Sequence, residues 1–322
     1  MNKKILGMGN AVLDIVTSVS EKFLESKNLS KGSMVLVDQE ISDQILKEIE
    51  PVKKDSGGSV ANTIVGISLL GQNSLFCGKV KKDQLGDEFI SDMEETNTNF
   101  LCSQSSKGLP TARCVIFVTP DGERSMQTFL GASTTLDADD IKEVFFEDIE
   151  YLMIEGYLWS SDSARKAIKK AVDFAINKGV KIVFSLSDVN LVKMFKEDFT
   201  KFIKSYVHIL IGNENEYKQL LEDSEENDFI RLNNIEIMLK TLGSNGVCVI
   251  EPEKTEIIPA MPVSSVVDTT GAGDMFAAGF LYKLLKGNKP LDSASFGCKV
   301  AAIIIQQYGA RPKKEDLKKL VN

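Results

Sequence analysis

The chain has 322 residues, with 38 Lys and Arg against 46 Asp and Glu, one His, and 43% hydrophobic residues. A net charge of −8 disfavours a nucleic-acid surface, which needs clustered cations to release counterions. The lone His excludes a two-His metal site and leaves a His-based triad with little to work from.

The first apolar run is broken by Gly7, Gly9, Asn10 and Asp14, so no signal peptide is expected. No stretch of about 18 apolar residues occurs, so no membrane span is expected. Lys4 to Met8 reads as a short strand, Ala61 to Leu70 as a helix, Asn73 to Val80 as a strand and Gln84 to Thr96 as a helix. Tyr151 to Ile154 reads as a buried strand. In the next segment Ala164, Ala167, Ile168, Ala171, Val172 and Ala175 share one helical face, and Gly179 stands where a helix C-terminus favours glycine. Val180 to Ser185 and Val207 to Ile211 are further strands, the second followed by a helix from about Glu214. This alternation predicts an α/β fold with a mostly parallel sheet and helices on both faces.

Two regions interrupt the rhythm. Ala112 to Thr119 and Arg124 to Leu130 are β-rich and joined through Asp121-Gly122, a hairpin signal. Val12 to Val19 and Met34 to Val37 are strand-like with no long helix between them. Together they predict a small antiparallel β patch, roughly residues 12–19, 33–38 and 111–130, covering the main sheet. No linker separates it, so residues 1–322 read as one domain with an insertion.

The strongest chemical signal is Asp268-Thr269-Thr270-Gly271-Ala272-Gly273-Asp274, a polar glycine-rich turn entering an apolar helix that runs to about Leu285. Gly271, Ala272 and Gly273 can aim backbone N–H groups at one point, and the helix N-terminus adds partial positive charge, a setting for a transferring phosphoryl group. A carboxylate at Asp274 would repel phosphate but could take a proton from a hydroxyl attacking it; as an alternative, Asp274 only caps the helix. Gly57-Gly58 opens another helix, with Asn62 one turn inside it, and could hold a polyhydroxylated ligand. Asn213-Glu214-Asn215-Glu216 follows an apolar strand; its oxygens suit hydrated Mg²⁺, and the same N-x-x-E spacing also reads as a helix cap. Thr241 to Gly246 is a glycine turn that could pass close to a nucleotide. Neither G-x-G turn has the third glycine of a dinucleotide fingerprint, and no Walker A loop is present.

These motifs, in this order, resemble the ribokinase-like (PfkB) carbohydrate kinases across nearly the whole chain. The resemblance implies a ribokinase-like fold with a β lid. It implies a phosphate acceptor near Asp14, Gly57, Gly58 and Asn62, and ATP over Asn213, Thr241, Gly243 and Gly246. It also implies an anion hole at Gly271 to Gly273, Asp274 as general base, and Glu216 organising Mg²⁺ through water. Within the family the chain is most similar to adenosine kinases. Gly9-Asn10-Ala11-Val12-Leu13-Asp14 resembles their opening motif, which implies that Asn10 and Asp14 hold the ribose. Asp121-Gly122-Glu123-Arg124-Ser125 resembles their lid, which points Arg124 at the transferring phosphate. Tyr157 falls where they place an aromatic residue near the base. The implied reaction is ATP-dependent phosphorylation of the adenosine 5′-hydroxyl to give AMP, within purine salvage. The alternatives are a kinase of ribose, fructose or a keto-deoxy sugar acid, and a non-catalytic nucleoside-binding protein. The apolar lid residues Val12, Met34 and Met126 lean toward a flat base.

Five Cys without a C-x-x-C read as reduced core thiols of a cytoplasmic protein. His208 and Trp159 read as packing residues, and Lys313, Lys314, Lys318 and Lys319 as a solvated helix face. Expected partners are the small-molecule acceptor and ATP, with no nucleic acid and no membrane. The chain is expected to act as a monomer or a lid-mediated homodimer.

Overall fold

The computed structural model describes residues 3–222, 225–233 and 235–321. Among the described residues nine strands form the large sheet, in the spatial order Lys254–Ile258, Val247–Glu251, Ile237–Thr241, Val207–Asn213, Lys181–Ser185, Ile149–Glu155, Lys4–Met8, Ser74–Cys77 and Thr98–Phe100. Pairings from Ile237–Thr241 to Thr98–Phe100 are parallel, and the last two strands at the other edge are antiparallel.

The central strands are apolar over most of their length because both faces are covered. Side chains alternate between two opposed cores. Ile5, Tyr151, Met153, Val183 and Ile209 enter one. Leu6, Met8, Leu152, Ile154, Ile182, Phe184 and Leu210 enter the other. The second core also takes the predicted alanine-rich face of the helix Asp162–Asn177, which ends just before Gly179 at φ 68°. Trp159 is buried there, 4.8 to 5.2 Å from the rings of Phe184, Phe199 and Phe202, so its role is packing.

On the first core's side, the helices Ser59–Leu69, Ala272–Leu285 and Pro290–Ile304 pack together. The approach of the first two is close: a Cβ on Gly66 would lie 2.8 Å from Ala278 Cβ. One turn earlier on each helix, Asn62 meets Asp274. The absence of one methyl group thus sets the distance at which two site helices bring their polar N-terminal turns together.

The second sheet has five strands among the described residues, in the order Met34–Leu36, Arg124–Phe129, Ala112–Val118, Val12–Ser18 and Lys53–Gly57. It corrects the expectation of an antiparallel lid in two respects. Val12–Ser18 pairs in parallel with Ala112–Val118, and Met34–Leu36 in parallel with Arg124–Phe129. Lys53–Gly57, a strand of polar composition lying outside the expected segments, closes the edge antiparallel to Val12–Ser18. The hairpin Ala112–Val118 to Arg124–Phe129 is antiparallel as expected, because a short turn dictates that direction. Pairings between distant segments carry no such local constraint. Val12 belongs to a small apolar cluster against which Met126 packs, whereas Met34 lies exposed at the sheet edge.

Among the described residues, no helix is long and apolar enough to cross a membrane. All five cysteines are free and buried.

Candidate active site

Two passages of chain run between the sheets, and both reach the site. Gly9, Asn10 and Ala11 lead from Lys4–Met8 into Val12–Ser18, and Lys53–Gly57 leads through Gly58 into the helix Ser59–Leu69. Gly58 has φ 99°, and a Cβ there would lie 2.2 Å from the carbonyl oxygen of Asn10, so only glycine fits this crossing. Glu155, at the end of its strand, clamps both passages. Its Oε1 accepts from the Asn10 N–H at 2.8 Å and its Oε2 from the Val60 N–H at 3.0 Å. The carboxyl is fully buried, and burial pushes its pKa up to about 7 against the opposing effect of these bonds. The sequence reading missed Glu155. Its signal was a carboxylate directly after the apolar run Tyr151 to Ile154.

Asp274 occupies the first turn of Ala272–Leu285. The cap of that helix is Gly271, in the left-handed region at φ 75°, and no side chain caps it. Asp274 therefore is not the helix cap. Its Oδ1 accepts from Ser59 Oγ at 2.7 Å and its Oδ2 from Asn62 Nδ2 at 3.0 Å. Burial raises its pKa to about 6; Asn62, Ser59 and the charge of Arg311 pull it down. The first bond of this helix is donated by the Met275 N–H to the Gly271 carbonyl, so the N–H groups of Gly273 and Asp274 precede that first donor and are available to an anion.

The turn before this helix is held by Asp268. Its Oδ1 accepts from the Thr270 N–H and Oγ1 at 3.0 and 2.7 Å, and its Oδ2 from the Gly309 N–H at 2.8 Å. Arg124 reaches down from the small sheet to pair with Asp268 Oδ2 at 2.7 Å and to donate to Thr270 Oγ1 at 3.2 Å. The lid arginine thus stands beside the glycine turn.

Asp14 projects from the small sheet and lies directly over Gly57, where a Cβ would sit 2.4 Å from its carboxylate. Burial raises its pKa to about 7, with Arg311 opposing and Asp55 and Asp274 adding to the rise. Arg311 is the second residue that sequence reasoning missed. It donates from Nε to Asn62 Oδ1 at 2.9 Å and from Nη1 to Ser56 Oγ. Burial lowers its pKa to about 10, and Asp14, Asp92, Asp55 and Asp274 oppose that fall.

On the far side of Asp274 lie two cavities. One of about 190 Å³ is lined by Ser59, Asn213, Glu216, Thr241, Gly273 and Asp274, among others. The other, about 590 Å³, runs past Thr241, Gly243, Gly246 and Gly273 to the apolar side chains of Val263, Phe276 and Ile305. Thr241 and Gly273 line both, so the cavities meet at the glycine turn. Asn213 and Glu216 form a capping box: Glu216 accepts from the Asn213 N–H at 2.9 Å and Nδ2 at 2.7 Å, and Asn213 Oδ1 accepts from the Glu216 N–H at 3.0 Å. Burial lifts the Glu216 carboxyl to about 7. Each of its oxygens already takes one hydrogen bond and keeps lone-pair capacity for another, which fits an ion held through water. Among the described residues no cluster of three or more His, Cys, Asp or Glu is placed to ligate a metal directly.

Tyr157 lines neither cavity; its hydroxyl donates to the Ser187 carbonyl at 3.2 Å, and burial raises its pKa. His208 accepts from the Ile182 N–H at 3.1 Å between two strands, a structural contact away from this chemistry.

A family model described as pfkB family carbohydrate kinase matches residues 26–317. The chain is 33% identical to adenosine kinase from Sinorhizobium meliloti, with a TM-score of 0.90 over 99% of this chain and 98% of that one. It is equally 33% identical to a probable sugar kinase protein from Rhizobium etli, with a TM-score of 0.90 over 99% and 97% of the two chains. Adenosine kinase 2 of Arabidopsis thaliana is 25% identical over 97% of this chain and 96% of its own.

Proposed function

The chain belongs to the pfkB family of carbohydrate kinases and is an ATP-dependent kinase with an alcohol acceptor, and on that premise we propose that it phosphorylates the 5′-hydroxyl of adenosine, giving AMP and ADP. The observation that carries the phosphoryl-transfer part of this reading is the junction of the two cavities at Gly273, with Asp274 in the wall, and similarity to adenosine kinases supports adenosine as the acceptor. ATP lies in the larger cavity with its adenine among the apolar side chains and its phosphates over the glycine turn. The nucleoside lies under the small sheet, its ribose against Asn10, Asp14 and Asn62.

In this reading Asp274 takes the proton of the 5′-hydroxyl. The new oxygen–phosphorus bond forms as the bond from the γ-phosphorus to the β–γ bridging oxygen breaks, and ADP leaves. A carboxylate with a pKa of about 6 is ionised at neutral pH and more basic than an exposed aspartate, which suits the task. The N–H groups of Gly273 and Asp274 and the guanidinium of Arg124 stabilise the phosphoryl oxygens. Glu216 would hold Mg²⁺ through water, and the ion would supply further positive charge against the phosphates.

The acceptor side supports a neutral ligand. Asp14, Asp55, Asp92 and Asp274 act on Arg311, while Lys53 pairs with Asp55 at 2.6 Å and Arg124 acts on Asp14, so carboxyl groups outnumber cations here by four to three. An acidic sugar would meet repulsion there. The sugar-kinase alternative rests on the Rhizobium etli relative, which is as similar as the adenosine kinase. Asp274→Asn is expected to lower turnover by about three orders of magnitude while calorimetric binding of a non-hydrolysable ATP analogue stays within a factor of about two. Full turnover in that variant removes Asp274 as the base.

A further inference from the structure

The segment Gly309-Ala310-Arg311 touches the site at three consecutive residues. The Gly309 N–H donates to Asp268, the backbone of Ala310 lies 2.8 Å from where a Gly271 Cβ would stand, and Arg311 reaches Asn62. We propose that Arg311 is a positioning residue for the catalytic base: it fixes the Asn62 amide so that Nδ2, and not Oδ1, faces Asp274. This rests on the reading of Asp274 as the base.

Arg is a donor only, so the amide edge facing it must be the oxygen. Arg311 Nε donates to Asn62 Oδ1 at 2.9 Å, and Asn62 Nδ2 is thereby turned to Asp274 Oδ2 at 3.0 Å. Asn62 is buried, so no bulk water competes for either edge. The other end of the guanidinium is anchored on Ser56, whose N–H and hydroxyl both donate to Asp92 at 3.0 Å. Without Arg311, the amide loses its cationic partner and can present Oδ1 to the carboxylate, which favours protonated Asp274. The two edges of one side chain thus couple a C-terminal arginine to a carboxylate through an intervening amide.

The charged groups around Asp274 act in both directions. Arg311 favours the ionised form, and Asn62 and Ser59 donate to it from the helix Ser59–Leu69. Asp14 on the small sheet and Glu155 on the large one are like charges, each raised by burial and in part by Asp274. Tyr157 is raised by burial and by nearby carboxylates that include Asp274, and Glu216 lies across the shared cavity. Arg311 is the cation in this set that acts on Asp274. Lys keeps the charge but not the fork that spans Asn62 and Ser56.

The test is the pH profile of kcat/KM for adenosine phosphorylation in the wild type, Arg311→Ala, Arg311→Lys and Asp274→Asn, with thermal melts on each. The expected result is an acid limb displaced upward by about one pH unit in Arg311→Ala, a smaller displacement in Arg311→Lys, and an unchanged KM for ATP. A merely structural role would lower activity at every pH without moving the limb. If Arg311→Ala does not fold, Arg311→Lys carries the same comparison. An unmoved limb in a folded Arg311 variant, with Asp274→Asn inactive, overturns this inference alone. Full turnover in Asp274→Asn overturns the base assignment and this inference with it.

Discussion

Arg124 Nη2 lies 2.7 Å from Asp268 Oδ2, an ion pair that ties the small sheet to the turn entering the site helix. The two side chains are only 13% and 5% exposed, so the pair is shielded from water and screened little by salt. Removing one partner of such a pair strands the other. Asp268→Ala also leaves the N–H groups of Thr270 and Gly309 without their acceptor. The expected loss is about 3 kcal/mol of unfolding free energy in urea titration. A loss below about 0.5 kcal/mol would place this pair among weak surface bridges.

Gly271 and Gly273 are close neighbours in the same turn and are expected to fail differently. A Cβ on Gly271 would meet the backbone of Ala310 at 2.8 Å, at a φ of 75° that side chains resist. Gly271→Ala should cost about 1–3 kcal/mol of stability. A Cβ on Gly273 would meet nothing within 4 Å, yet Gly273 lines both cavities. Gly273→Ala should melt like the wild type and lose turnover, because its methyl enters the space that the proposed mechanism assigns to the phosphoryl group. Thermal melts and steady-state rates on the same two preparations check the contrast. Normal turnover in Gly273→Ala would detach the phosphoryl path from this turn.

Stability should fall as pH rises from about 4 to 7, because four carboxyls raised by desolvation hold their protons more tightly in the folded chain. Asp14, Glu155, Glu216 and Asp274 have folded-state pKa values raised from 3.8, 4.5, 4.5 and 3.8 to about 7, 7, 7 and 6. The folded chain therefore binds more protons than the unfolded chain within that window. Their stabilisation is full below the unfolded values and is lost as pH rises through the folded ones. His208, lowered by burial, opposes this with a single group. Each tenfold difference in proton affinity between the two states corresponds to about 1.4 kcal/mol. Urea unfolding at about pH 5, 6, 7 and 8 should show the decline, and Glu155→Gln should make it shallower. An unchanged slope in that variant would contradict the raised Glu155 value.

The large sheet was legible because its strands are continuous apolar runs and the intervening helices carry a clear helical period. Lys4–Met8 begins and ends where its composition does, and the buried face of Asp162–Asn177 is the one its alanines mark. Lys53–Gly57 was not legible, because Lys-Lys-Asp-Ser-Gly has neither alternation nor β-branched residues. Its order comes from a distant partner strand, Val12–Ser18, against which Asp55 pairs with Asp14.

In the site, the glycine turns and Asp274 stood out because a polar glycine-rich turn entering an apolar helix is a local pattern. Glu155 and Arg311 did not, because their partners are distant in sequence: Asn10 lies 145 residues from Glu155, and Asn62 lies 249 from Arg311. Asn213-x-x-Glu216 carried two readings at once, and the capping box is realised while the same carboxylate faces a cavity.

The most direct measurement is an acceptor screen with the purified chain, ATP and Mg²⁺, comparing adenosine with ribose, fructose and a keto-deoxy sugar acid. The account predicts AMP and ADP in equal amounts from adenosine, at a kcat/KM at least about a hundredfold above that for any sugar. ADP formation with a sugar or sugar acid, and none with adenosine, would contradict it.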